Sequence, residues 1–217
     1  GILPIGQRRS RERMAMLFGS VDSPRMRTAS SGSRLHMNGV MVGDAAAFRR
    51  SSTRGGKRKC VFVFDQSGSM NYSWNEQGGA AFCSAVIQLS QRGIIDATII
   101  MTGGGRSAIL PNTEPVCVPF RMRCNEGSES LRDTLQTHAD KVAAADSVIV
   151  YTDGQLTDGV VNAGEWRARG VDLIGAMVCD DSMLPHYRRK MDKHFGNSIL
   201  RPSGLELATA LVQHIGT

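Results

Sequence analysis

A chain of 217 residues can bury a sizeable apolar core in one domain with an extension, so it needs neither disulfides nor structural zinc for stability. Its five cysteines form no Cys-x-x-Cys pair and have no histidine partners at zinc-finger spacing, which indicates reduced thiols in a cytoplasmic protein. No apolar run reaches the length of a membrane span, and the N-terminus lacks a signal-peptide core, so we expect a soluble protein without membrane contacts.

Positive charge is concentrated in the first 58 residues, which hold 12 of the 26 Lys and Arg but only three of the 20 Asp and Glu. Short helices are predicted there in QRRSRERMAMLFG and DAAAFRR, with a hairpin at Asn38-Gly39 between them. Such an extension can bind nucleic acid, pack on an acidic partner or remain solvated. Its only aromatic residues are Phe18 and Phe48, so it lacks the stacking residues of a single-strand binder. We therefore divide the chain into a basic extension, residues 1–58, and a main domain, residues 59–217.

Strands and helices alternate through the main domain. The predicted strands are CVFVF, DATIIMT, a weak PVCVPF, DSVIVYTDG, VDLIGAMV and a short SIL. The predicted helices are GGAAFCSAVIQLSQRG, SESLRDTLQTHADKVAAA, NAGEWRARG, LPHYRRKMDKHFG and SGLELATALVQHIG. This alternation predicts a three-layer, Rossmann-like α/β fold, in which an open and mostly parallel sheet carries helices on both faces. Cys60, Cys83 and Cys179 lie in apolar runs and are interpreted as small core residues.

Polar residues follow three predicted elements at points where a parallel sheet places its sites. Asp65, Ser67 and Ser69 follow the first strand, Thr152-Asp153-Gly154 ends a later one, and NEGSES precedes a helix. These loops are expected to converge on one edge of the sheet. Carboxylates and hydroxyls suit Mg²⁺, which prefers oxygen ligands and retains several waters. The alternative is that Ser67 or Ser69 only caps the next helix.

Asp-Gln-Ser-Gly-Ser-Met at 65–70 together with Thr-Asp-Gly at 152–154 resembles the metal-ion-dependent adhesion site of the von Willebrand factor A (VWA) family. The resemblance covers about residues 59–217 and implies the VWA fold. It also implies Mg²⁺ or Mn²⁺ bound directly by Ser67 and Ser69. Asp65 and Asp153 would then support the coordinated hydroxyls and waters.

One segment departs from the family pattern. The family's Gly-Gly-Thr-x-Leu segment aligns with GSESL at 127–131, which places Glu129 where the family has Thr. Glu129 would add a third carboxylate, and the hydroxyls of Ser128 or Ser130 could serve instead. A similar Asp-Gly-Glu-Ala-Leu segment occurs in the VWA-bearing subunit of cobaltochelatase. Proteins of that kind work with a MoxR-type AAA+ ATPase, and this chain has no phosphate-binding loop of its own, so it would be the adaptor.

Residues around the site add further expectations. Thr102 and Thr152 are placed at its rim or among its ligands, and TGGGR, which begins at Thr102, is interpreted as a flexible loop. Tyr72 and Trp74 are expected near the metal on an exposed loop, either as packing residues or as partner anchors.

The sequence favours a metal-dependent, non-enzymatic protein-binding module, since no nucleophile elbow occurs and no histidine is placed to activate Ser67. The alternatives are a chelatase-type subunit, and an RNA-associated or virion structural protein that binds through the basic extension.

Overall fold

The computed structural model describes residues 58–157, 159 and 161–216, and the predictions for the first 57 residues lie outside this part. In this described part six strands form one sheet in the order β3-β2-β1-β4-β5-β6. Every neighbouring pair is parallel except β2 and β3. The strands are β1 Lys59–Asp65, β2 Asp96–Gly103, β3 Arg106–Leu110, β4 Ser147–Tyr151, β5 Asp172–Val178 and β6 Ser198–Arg201.

Helices cover both faces of the sheet. They are α1 Asn71–Asn75, α2 Gly79–Gln91, α3 Leu131–Thr137, α4 Ala139–Ala143, α5 Ala163–Ala168, α6 Leu184–Phe195 and α7 Gly204–Gly216. Two short 3₁₀ helices, Gly68–Met70 and Val118–Arg121, complete the described elements. The predicted α/β architecture is therefore confirmed. None of the helices in the described part is long and apolar enough to cross a membrane.

The central strand β1 divides the core into two layers. Its side chains alternate, so that Phe62 and Phe64 pack with α2 and α7 on one face, while Val61 and Val63 pack with the helices on the other. A strand buried on both faces needs apolar residues at every position, which explains its continuous apolar run. The three cysteines assigned to the core, Cys60, Cys83 and Cys179, are indeed buried.

The third strand was placed wrongly from sequence. PVCVPF contributes the 3₁₀ helix Val118–Arg121, where Pro119 has no N–H to donate to a ladder. The actual third strand, β3, pairs antiparallel with β2. Between them Gly104 and Gly105 have φ angles of 61° and 73°, so the supposed flexible loop is a tight two-residue hairpin turn.

Two helical segments also differ from expectation. The single helix expected over 128–145 is divided at His138, whose φ and ψ of −106° and 27° end α3 before α4 begins. The short helix α1 was not predicted, because its five residues show no apolar periodicity.

Close backbone contact between α2 and α7 depends on two glycines. A Cβ on Gly204 would lie 2.6 Å from the carbonyl oxygen of Gly78, which has a φ of 112°. Since backbone cannot move aside as a flexible side chain can, these two positions fix how closely the helices approach.

Gly204→Ala is expected to destabilise the protein by about 1–3 kcal/mol through overpacking, although alanine is otherwise favoured over glycine in helices. Gly164→Ala in α5 is the matched control, because its Cβ would meet only Asn162 Oδ1 at 3.5 Å. Urea unfolding of both variants is the measurement. A Gly204→Ala protein as stable as the Gly164→Ala protein would contradict the close contact.

Candidate metal centre

The first site residue, Asp65, ends the central strand and is fully buried. Its Oδ1 accepts a hydrogen bond from the backbone N–H of Ser67 at 2.8 Å. Its Oδ2 accepts one from the hydroxyl of Thr152 at 2.8 Å. The carboxylate therefore joins the loop after β1 to the loop after β4.

Burial raises the pKa of the Asp65 carboxyl from its ordinary 3.8 to about 6. Removal of water is the largest cause, and the nearby carboxylate of Asp153 adds to it. Hydrogen bonds from Ser67 and Thr152 oppose the shift without cancelling it. The charged form of Asp65 is thus costly in the metal-free protein.

Ser67 and Ser69 present their hydroxyls side by side. Their Oγ atoms are 3.2 Å apart across the turn that leads into the 3₁₀ helix Gly68–Met70. Ser67 stands at the N-cap position of this helix but its side chain makes no capping hydrogen bond. Met70, which precedes α1, makes none either. The alternative that these serines only cap a helix is therefore not what the structure shows.

The Thr152-Asp153-Gly154 turn brings a second buried carboxylate to the same edge. Asp153 is 3% exposed, and its two oxygens accept hydrogen bonds from the backbone and side-chain amide of Gln155 at 2.9 and 2.8 Å. Gly154 has a φ of 72°, and a Cβ there would lie 3.0 Å from Cβ of Lys190 in α6. Glycine is required at this position both for the backbone conformation and for the contact with α6.

The third loop, NEGSES at residues 125–130, packs directly on the first loop, which follows β1. Gly68 N–H donates to the carbonyl of Glu126, and Glu126 N–H donates to the carbonyl of Gln66, at 3.0 and 3.1 Å. Gln66 N–H in turn donates to the carbonyl of Thr102 at 2.8 Å. Together with the bond from Thr152 to Asp65, these bonds confirm the expected convergence of the three loops.

Glu129, predicted as a third carboxylate ligand, is 2% exposed and directed at the loop after the Thr-Asp-Gly turn. Its Oε1 accepts a hydrogen bond from the backbone N–H of Thr157. The Thr157 hydroxyl lies 3.0 and 3.1 Å from the two carboxylate oxygens. Through these bonds Glu129 joins the third loop to the loop that contains Thr157. Its role as a metal ligand stays a prediction.

The hydroxyls expected to replace the family's Thr are also engaged in bonds between loops. Ser130, with a φ of 52°, accepts the N–H of Gly105 at 2.7 Å, and its Oγ lies 3.1 Å from that of Ser128. Thr102 donates to the carbonyl of Glu129 at 3.0 Å and is buried. Ser130 and Thr102 therefore brace the third loop against the β2–β3 hairpin, whereas the hydroxyl of Ser128 bonds to Ser130 within the loop.

The two aromatic residues of α1 lie on opposite sides of the helix. Tyr72 is 62% exposed, as expected, and its role as a partner anchor stays a prediction. The expectation that Trp74 is exposed is wrong, since it is fully buried. Its ring packs edge-on against Phe64 at 5.7 Å, and its Nε1 donates to the carbonyl of Pro119 at 3.0 Å. Residues two apart on a helix point in nearly opposite directions, so only one of the two can face solvent.

The charge balance of this edge fits a cation. Within the part of the chain that the structure describes, neither Asp65 nor Asp153 forms an ion pair with a lysine, arginine or histidine. Buried carboxylates without a counter-charge are costly. The described residues contain no group of three His, Cys, Asp and Glu side chains suited to a metal, so hydroxyls and water would complete the coordination. Oxygen ligands with retained water are what Mg²⁺ and Mn²⁺ accept.

Sequence reasoning missed two features of the site. Gln155 holds both oxygens of Asp153, and an Asp followed two residues later by an N–H it can accept is a recognisable Asx turn. The buried hydroxyls of Ser73 and Tyr151, 2.6 Å apart, had no sequence signal, because they are 78 residues apart.

Comparison of the sequence with protein-family models and with curated proteins gave no match. Among solved structures, the pilus adhesin SpaC from Lactobacillus rhamnosus GG has a TM-score of 0.52 and 14% identity, over 76% of this chain and 30% of the adhesin. This chain has a VWA fold. The von Willebrand factor type A protein from Catenulispora acidiphila matches with a TM-score of 0.48 and 15% identity, over 75% of this chain and 42% of that one. The SpRpn10 VWA domain gives 0.44 and 11%, over 73% of this chain and 95% of the domain.

The raised pKa of Asp65 in this VWA fold predicts a pH-dependent stability of the metal-free protein. Because the pKa is about 6 when folded against 3.8 ordinarily, the folded state binds the proton more tightly. Stability is therefore expected to fall as pH rises from about 4 to about 6. Asp65→Asn removes the charge and retains an oxygen for Ser67. It should be the more stable protein at pH 7.5, by up to roughly 3 kcal/mol.

Thermal unfolding in EDTA at pH 4 and pH 7.5 tests this difference. The Tm of Asp65→Asn should exceed that of the wild type by several degrees at pH 7.5, with the gap closing at pH 4. Asp140→Asn on the exposed surface of α4 is the control and should show no such gap. A gap that is constant with pH would contradict the buried charge.

Proposed function

We propose that this chain is a metal-dependent protein-binding module, in which a divalent cation at the carboxyl edge of the sheet captures an oxygen of a partner protein. The observation that carries the proposal is the pairing of two buried carboxylates, Asp65 and Asp153, with two adjacent hydroxyls. Neither carboxylate has a basic partner among the described residues.

Ser67 and Ser69 would hold the cation through their hydroxyl oxygens. Asp65 already has a hydrogen bond on each oxygen, from Ser67 and from Thr152, so its contribution would be charge and orientation. Asp153 is held in the same way by Gln155. When bound, Mg²⁺ or Mn²⁺ would supply a Lewis-acidic position for a carboxylate or carbonyl of the partner.

A non-catalytic role fits the surroundings of Ser67. Its hydroxyl lies 3.2 Å from Ser69 Oγ. The histidines with hydrogen bonds among the described residues, His138 and His214, bond to Ser107 and Asp172 instead. A serine nucleophile needs a base in contact with its hydroxyl, and none of the described histidines hydrogen-bonds to Ser67.

Adding Mg²⁺ or Mn²⁺ is expected to raise the Tm, because the cation binds the folded state and compensates two buried charges. At 100 times the Kd the gain is about 3 kcal/mol. Asp65→Asn should abolish the increase, while Asp140→Asn should retain it. Differential scanning fluorimetry at pH 7.5 with increasing metal gives the readout. The metal-site assignment fails if Asp65→Asn responds to metal as the wild type does.

Two kinds of partner follow from the sequence. A MoxR-type AAA+ ATPase is the protein partner suggested by GSESL at 127–131, with this chain as adaptor. The second candidate function, RNA-associated or virion structural binding, is favoured by the 12 Lys and Arg among residues 1–58.

Salt and EDTA separate these two modes in pull-downs with the full chain. Capture of a protein through the metal edge should be lost in EDTA and in Asp65→Asn, yet survive 0.5 M NaCl. Capture of RNA through the basic extension should survive EDTA and weaken steeply as salt rises, because phosphate contacts compete with counterions. Protein capture that is equal with and without EDTA would contradict the metal-dependent mode.

A further inference from the structure

A buried hydrogen bond joins Tyr151 and Ser73, which belong to two elements that adjoin the loops of the candidate metal site. Tyr151 Oη and Ser73 Oγ are 2.6 Å apart, and both residues are at most 3% exposed. Ser73 Oγ also lies 3.3 Å from the carbonyl oxygen of Val178 and donates to it. Since a serine has one proton to donate, the hydroxyl of Tyr151 is the donor to Ser73. The bond ties α1 to β4 and, through Val178, to the end of β5.

Each partner belongs to an element that adjoins a loop of the candidate site. Ser73 lies in α1, which follows directly on the turn that carries Ser67 and Ser69. Tyr151 is the last residue of β4 and immediately precedes Thr152 and Asp153. The bond therefore joins the helix that follows the paired hydroxyls to the strand that precedes the second carboxylate. It complements the bond from Thr152 to Asp65, which joins the loop after β4 to the end of β1.

Apolar packing accounts for the ring of Tyr151 but not for its hydroxyl. The ring lies 5.8 Å from both Phe64 and Phe82 and 6.4 Å from Trp74, an environment that phenylalanine would also suit. Burying a hydroxyl has a desolvation cost that only a good hydrogen bond offsets. A Cβ on Gly79 would lie 2.7 Å from this hydroxyl, so the first residue of α2 must be glycine to leave room for it.

We infer that Tyr151 and Ser73 are positioning residues for the metal, which hold the Ser67–Ser69 turn at the distance from Asp153 that a small divalent cation requires. The inference rests on the proposed function. Metal affinity depends on outer partners that orient the direct ligands, and their loss weakens binding even though they never touch the metal.

Titration of the full chain with Mn²⁺, followed by the electron paramagnetic resonance signal of the free ion, tests this inference. Tyr151→Phe keeps the ring and removes the hydroxyl, and it should raise the Kd for Mn²⁺ about ten-fold. Ser73→Ala should act in the same direction. The Kd of the double variant for Mn²⁺ should be no higher than that of the single variant with the higher Kd, because both substitutions remove the same bond.

Val142→Ala is the matched control for loss of stability. Val142 is fully buried in α4 on the opposite face of the sheet, so this change lowers the Tm through a cavity without touching the bond. It should leave the Kd for Mn²⁺ unchanged. A Tyr151→Phe protein with a wild-type Kd and a lowered Tm would show that the bond serves stability alone, which overturns the inference and leaves the proposed function intact. A wild-type protein that does not bind Mn²⁺ would overturn both.

Discussion

A carboxylate without contact with solvent, at the end of the central strand, is the constraint around which this domain is built. Asp65 cannot be hydrated there, so its two oxygens must be satisfied by the protein, and they are, by Ser67 on one side and Thr152 on the other. Two loops that are far apart in sequence are thereby both held by one carboxylate. Hydrogen bonding leaves the negative charge without a counter-charge among the described residues, and the proposed cation would supply one.

The third loop meets this centre differently from the first two. Its oxygen-bearing side chains bond other loops: Glu129 bonds Thr157, and Ser130 bonds Gly105. Side-chain hydrogen bonds thus hold the loops at this edge of the sheet together. Few side-chain oxygens then remain to coordinate a cation. In such a site water would occupy more of the positions around a cation than in one with three protein carboxylates, and water is readily exchanged for a partner's oxygen.

The sequence predicted most of the fold because buried parallel strands leave a strong local signal. β1, β2, β4 and β5 are largely apolar and buried, whereas the edge strand β3 is short, largely exposed and preceded by glycines, so its pattern is hard to recognise. The first-loop and Thr-Asp-Gly residues could be identified because each set is contiguous. The burial of Trp74 and the bond between Ser73 and Tyr151 could not, since both arise from packing between elements distant in sequence.

The start of β1 lies at the far edge of the sheet from the candidate metal centre. Lys59 exchanges backbone and side-chain bonds with Asp146, and the carbonyl of Arg58 accepts the N–H of Asp96, both at the amino ends of strands. A strand of seven residues separates this edge from Asp65, a length of about 23 Å. Residue 58, the first that the structure describes, therefore lies at the edge of the sheet opposite the candidate metal centre. A ligand bound at the amino ends of the strands and a protein bound at the candidate metal centre would therefore lie at opposite edges of the sheet.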